Sequence, residues 1–76
     1  MDAIELLARR LPAEADGIRR LFRRDREFRE LCEDYRDCVA ALERAETSRP
    51  ARAEEYRELA AELLAEAMEM LRAGRP

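Results

Sequence analysis

Between Phe28 and Leu42 the apolar residues Phe28, Leu31, Tyr35, Cys38 and Leu42 recur at steps of three, four, three and four. That spacing matches one face of a helix and rules out a strand, whose faces alternate every second residue. Cys32 and Val39 border the seam and widen it, as expected of a helix packed on more than one neighbour. A helix with so wide an apolar stripe needs partners, and the rest of the chain is read for what supplies them.

The chain has 76 residues, enough for a single small domain over 1–76 and close to the lower limit for a self-sufficient core. Charged residues make up 43% and hydrophobic ones 47%, with two Gly and three Pro. So few turn formers among so much Ala, Glu, Leu and Arg predict an all-α fold with long helices. The apolar fraction is too high for a disordered acidic chain. Every basic residue is Arg, with no Lys and no His. Codon usage in a GC-rich bacterial genome explains this most simply, and a preference for bidentate guanidinium pairing is the rival reading. The net charge of −3 argues against non-specific nucleic-acid binding by the whole chain. No apolar run approaches membrane-spanning length. Met1-Asp2-Ala3-Ile4-Glu5 lacks the basic start and apolar core of a signal peptide, so a cytoplasmic location is expected, and two cysteines are compatible with it.

Asp2, with Glu5 three residues on, has the pattern of a helix N-cap. Ile4, Leu7, Ala8 and Leu11 then predict a short amphipathic helix over about 2–11, ended by Pro12, which cannot donate the next backbone bond. A new helix can restart at Pro12, weakened by Gly17. From Ile18 the pattern strengthens through Leu21 and Phe22 into the seam, predicting one helix over about 18–46, roughly 42 Å long at 1.5 Å per residue. Asp25 is the polar break in that stripe, read as exposed or as paired with an arginine. Thr47-Ser48-Arg49-Pro50 is the clearest turn, with hydroxyls where a helix cap is wanted and Pro50 suited to a first helical turn. A last helix over about 50–72 carries Ala53, Tyr56, Leu59, Ala60, Leu63, Leu64, Ala67, Met70 and Leu71 on its apolar face, with Gly74 expected at C′. A turn this short makes its flanking helices antiparallel. The expected architecture is a long antiparallel helical hairpin with coiled-coil-like packing and a short N-terminal helix beside it. Two helices leave each seam open on one side, so a homodimer or higher oligomer is expected.

The run Phe28, Leu31, Tyr35, Cys38, Leu42, followed by Glu46, resembles the seam of the YdcH-like family of small bacterial proteins. Leu59, Leu63, Ala67 and Leu71 match that family's leucine-rich second helix. The likeness covers about two-thirds of the chain and implies a helical hairpin, without an established activity. Here the second helix is acidic where the family carries a lysine-rich motif, and the extension through Gly17 is longer.

Little in the chain points to catalysis. Cys32 and Cys38 lie about 9 Å apart along a helix and point about 120° apart, beyond the roughly 7 Å a disulfide spans. No Cys-x-x-Cys and no His is present to build a zinc site, so both read as small apolar seam residues. Glu54, Glu58, Glu62 and Glu66 recur at every fourth position, with Glu55 and Glu69 beside them. The His needed for a di-iron motif is missing, so the row reads as a solvated face. Like charges at that spacing are mildly destabilising, and an arginine row from a neighbouring helix or subunit would relieve them. Arg19, Arg20, Arg23, Arg24, Arg26 and Arg29 are the candidate row, with Asp25, Glu27 and Glu30 interleaved. Residues 1–29 hold eight Arg against six Asp/Glu, and residues 30–76 hold seven against twelve, so the chain is basic first and acidic last. No glycine-rich phosphate loop is present, no serine nucleophile has a candidate base, and no cofactor is implied.

The expected function is therefore non-enzymatic: protein–protein contact, with self-association through a seam of Phe28, Leu31, Tyr35, Cys38, Leu42, Tyr56 and Leu63, and an unidentified protein partner. The alternative is an arginine-mediated binder of nucleic acid or an anionic surface, using Arg19, Arg20, Arg23 and Arg24. Salt separates the two, since phosphate binding weakens steeply with ionic strength and apolar association does not.

Overall fold

The computed structural model describes residues 1–74. Four α-helices follow in order: α1 (Ala3–Arg10), α2 (Ala15–Arg24), α3 (Arg26–Ser48) and α4 (Pro50–Ala73), with a 3-10 turn (Pro12–Glu14) between the first two. No strand occurs among the described residues. The most extensive contact is α3 against α4, the two arms of the hairpin, and the molecule measures 43 × 22 × 21 Å.

Asp2 caps α1, its carboxylate accepting from the Glu5 backbone N–H at 2.9 Å. Arg9 and Arg10 stand in the last turn, where the helix dipole favours cations. Pro12 then opens the 3-10 turn that leads into α2.

The helix expected over 18–46 is broken at Asp25. This residue has an extended backbone (φ −121°, ψ 113°), and its carboxylate accepts from the Phe28 N–H at 3.2 Å, capping α3. Asp25 is thus a half-buried cap, with no ion-pair partner among the described residues. Asp favours the cap position, where a side-chain oxygen satisfies an otherwise orphaned N–H. The ladder continues on both sides of the break, with Asp25 N–H donating to Leu21 O at 2.8 Å and Arg29 N–H donating to Asp25 O at 3.1 Å. Arg29 pins the corner, donating from Nη1 to Phe22 O at 2.9 Å with its guanidinium 5.9 Å from the centroid of the Phe22 ring.

Because the chain turns at Asp25, α2 and α1 fold back over the open end of the hairpin. Leu7 of α1, Ile18 of α2, and Phe28 and Cys32 of α3 are the largest fully buried side chains. Ala3, Leu31, Tyr35, Ala67 and Leu71 complete this core. Gly17 of α2 faces Leu71 of α4, where a Cβ would lie at an ordinary contact distance of 3.5 Å from Leu71 Cδ2.

The turn at residues 47–50 is tighter than its composition suggests. A single residue, Arg49, separates α3 from α4. Thr47 and Ser48 still belong to α3, and both hydroxyls donate to Arg44 O, at 3.0 and 2.8 Å. They serve the end of α3 instead of capping α4, because the cap position falls on Arg49, which offers no side-chain cap. Pro50 occupies the first turn of α4 as expected. Gly74 is the C-cap of α4 itself, with φ −81°, one position earlier than the C′ place expected for it.

Candidate functional site

Phe28, Leu31, Tyr35 and Cys38 are buried within the chain, Phe28 at 0% and Tyr35 at 5% exposure. Their partners are α1, α2 and α4 of the same molecule, so these four side chains offer nothing to a second copy unless the fold opens. The physical reason is the fold-back at Asp25, which covers the base of the hairpin from within. Leu42, Tyr56 and Leu63 are half-buried and keep part of their surface in solvent.

The chemistry of the buried seam is closed. Burial, reinforced by the charge of Glu33, pushes the Cys32 thiol up to about 12. Burial also raises Cys38, whose Sγ donates to Tyr56 O at 3.3 Å. Both cysteines are free, and both stay protonated near neutral pH, where the thiolate is the reactive form. The Tyr35 phenol is raised by burial, with Arg10 pulling it down and Cys38 pushing it up. Among the described residues no group of three or more His, Cys, Asp or Glu is placed to hold a metal ion.

Apolar surface reappears on the outer edge of α4. Leu59 is 43% exposed. On the helix it adjoins Tyr56 and Leu63 on one side and Glu55 and Glu62 on the other, all at three- or four-residue spacing. Met68, also 43% exposed, emerges elsewhere on α4 beside Leu11 and Pro12. The glutamate row is solvent-exposed. Glu54 accepts from Arg57 at 3.0 Å, and Arg57 bridges to Glu46 of α3 at 3.1 Å. Glu58, Glu62 and Glu66 have no ion-pair partner among the described residues, so the arginines of α2 do not reach them within one chain.

Those arginines lie on the exposed side of α2. Arg19 is 3.7 Å from Asp16, and Arg23 Nε donates to Arg19 O at 3.4 Å. Arg20 and Arg24, without an ion pair among the described residues, line a cleft of about 420 Å³ with Asp16, Gly17, Leu21 and Leu71. Phe22 lies beneath Arg29 and does not join this group.

A second basic group, not anticipated from the sequence, forms at the hairpin tip. Arg44, Arg49 and Arg52 line a cleft of about 180 Å³ with Ala41, Ala45, Ser48 and Tyr56. The Arg52 guanidinium is 5.8 Å from the centroid of the Tyr56 ring, and its Nε is 3.3 Å from Glu55. In the sequence these arginines are scattered across a turn, and only the one-residue link brings them together.

Among known proteins the chain matches no family model, no curated protein and no solved structure. No helix among the described residues is long and apolar enough to cross a membrane.

Proposed function

We propose that this chain is a non-enzymatic interaction module whose working surface is the outer edge of α4, and that the surface binds a second copy of the chain. The observation that carries this reading is Leu59, a large apolar residue left 43% exposed between the half-buried Tyr56 and Leu63 and a row of glutamates. Packing within the chain buries Ala53, Ala67 and Leu71 but leaves this leucine exposed on the far edge.

The choice of a second copy rests on charge. Glu58, Glu62 and Glu66 are exposed and unpaired among the described residues, and Arg20 and Arg24 on α2 are likewise exposed and unpaired. A two-fold contact lets the basic α2 of each subunit face the acidic α4 of the other, while Leu59 supplies the apolar centre. Two α4 helices laid against each other would instead set glutamate against glutamate. The contact proposed here weakens as salt rises, because its charges are exposed. In this it differs from association through a buried seam.

Size-exclusion chromatography with light scattering, at low and high salt, tests this. The wild-type chain should show at least twice its 8.9 kDa mass at low salt, and Leu59→Asp should reduce it to one chain while the circular dichroism stays helical. A wild-type chain that is monomeric at every salt and concentration refutes the reading.

A further inference from the structure

We propose that the cleft at the hairpin tip is an oxyanion site that takes a phosphate group, independently of the contact made by α4. Three arginines line it from three different stretches of chain: Arg44 from the last turns of α3, Arg49 from the link, and Arg52 from the first turn of α4. No carboxylate lines the cleft. Arg44 and Arg49 have no ion pair among the described residues, so two of the three arginines lining the cleft lack a carboxylate partner. Like charges gathered around one cleft repel, and a doubly charged anion bound there offsets that repulsion.

The geometry favours an anion of phosphate size. Ala41 and Ala45 leave the wall of α3 without bulk, which creates the concavity between the arginines. Tyr56 supports one wall, with the Arg52 guanidinium held above its ring at 5.8 Å, so this planar donor is in place before a ligand arrives. Guanidinium presents paired N–H donors that match phosphate oxygens. The Ser48 hydroxyl is already donating to Arg44 O and is left out of the ligand set. The residue opposing the site is Glu55, 3.3 Å from Arg52 Nε, which competes with a bound anion for the same guanidinium.

This arrangement predicts opposite signs for two kinds of substitution. Replacing an arginine weakens binding, and replacing Glu55 strengthens it. The experiment is a titration of the 76-residue chain with inorganic phosphate, followed by amide NMR, with sodium chloride of equal ionic strength as the reference. Phosphate should shift amides between Ala41 and Tyr56 where chloride does not. Arg49→Gln and Arg44→Gln should each weaken binding about tenfold, the loss of one charge-assisted contact. Glu55→Gln should tighten it about threefold, by removing an exposed competing pair. A parallel titration with adenosine monophosphate separates the sources of the phosphate. Equal affinity assigns the site to a free phosphate, and tighter binding with shifts at Tyr56 assigns it to the phosphate of a larger ligand carrying a planar base. All of these side chains are solvent-exposed or half-exposed, so the variants should keep the wild-type helicity. Arg44 and Arg49 also suit the C-terminal end of α3 electrostatically. If that is their whole role, the variants lose thermal stability while phosphate and chloride give the same response, and the proposal fails.

Discussion

The two halves of the hairpin are built from the same pair of helices, yet they are held together differently. At the base, α1 and α2 fold over α3 and α4, and the large side chains Leu7, Ile18 and Phe28 are fully enclosed. Beyond Cys38 the two arms pack alone, through the small residues Ala45 and Ala53 with Leu42 and Tyr56 half-buried at their sides. Hydrophobic stabilisation follows the apolar area removed from water, so it is concentrated in the base. The distal half holds the tip cleft, while the exposed edge of α4 at Leu59 lies level with the base, since Tyr56 O already stands opposite Cys38. One helix pair thus serves as both core and working surface, because the fold-back at Asp25 covers only one end of it.

The sharpest way to break this contrast is at its centre. Phe28→Ala should cost about 3–5 kcal/mol, as expected for a fully buried aromatic side chain, whereas Leu42→Ala in the distal half should cost about 1 kcal/mol because Leu42 is only half-buried. Urea unfolding of both variants gives the comparison directly, and equal losses would erase the distinction between the halves. Next in size is the corner itself. Asp25→Ala removes the cap of α3 and should cost about 1 kcal/mol with little change in helical content. A null effect would mean that the corner is held by Arg29 and packing alone.

The base should also respond to alkali. Cys32 is raised from an ordinary 9.0 to about 12 in the folded chain, so folding favours its protonated form. Its contribution is fully present below pH 9 and is lost as the pH rises from about 9 towards 12. Tyr35, raised from 10.0 mainly by burial, adds a loss in the same direction. Stability measured in urea should therefore fall above pH 9, and Cys32→Ala should flatten that fall while lowering stability at pH 7. The smallest expected effect is a gain. Gly17→Ala places a methyl group at ordinary contact distance from Leu71 and should stabilise the base by about 0.5–1 kcal/mol through helix propensity.

Much of this architecture is legible in the residues, and the exceptions share a cause. The periodicity from Phe28 to Leu42 identifies the core face of α3, and Pro50 marks the turn. Asp25 misleads because a cap inside an unbroken apolar stripe looks like a polar lapse. Its partner is the backbone of Phe28, so no Glu or Gln three residues on signals a capping box. Thr47 and Ser48 mark a helix end correctly, but a hydroxyl can serve either neighbour, and only the one-residue link assigns both to α3. The buried seam is legible as core, yet its periodicity says nothing about whether α1, α2 or a second chain covers it. The tip cleft is the least legible feature. Arg44, Arg49 and Arg52 converge only after the turn is drawn, and the small size of Ala41 and Ala45 is the signal that makes room between them.

Native-state hydrogen exchange along α3 tests the contrast between the two halves most directly, because a single helix runs through both. Amides from Leu31 to Tyr35 should exchange only through global unfolding, with opening free energies equal to the stability measured in urea. Amides from Ala40 to Arg44 should open through a smaller, local transition that leaves the base folded. Equal protection along the whole helix would show that the hairpin is one cooperative unit, and the division into an enclosed base and an accessible distal half would be wrong.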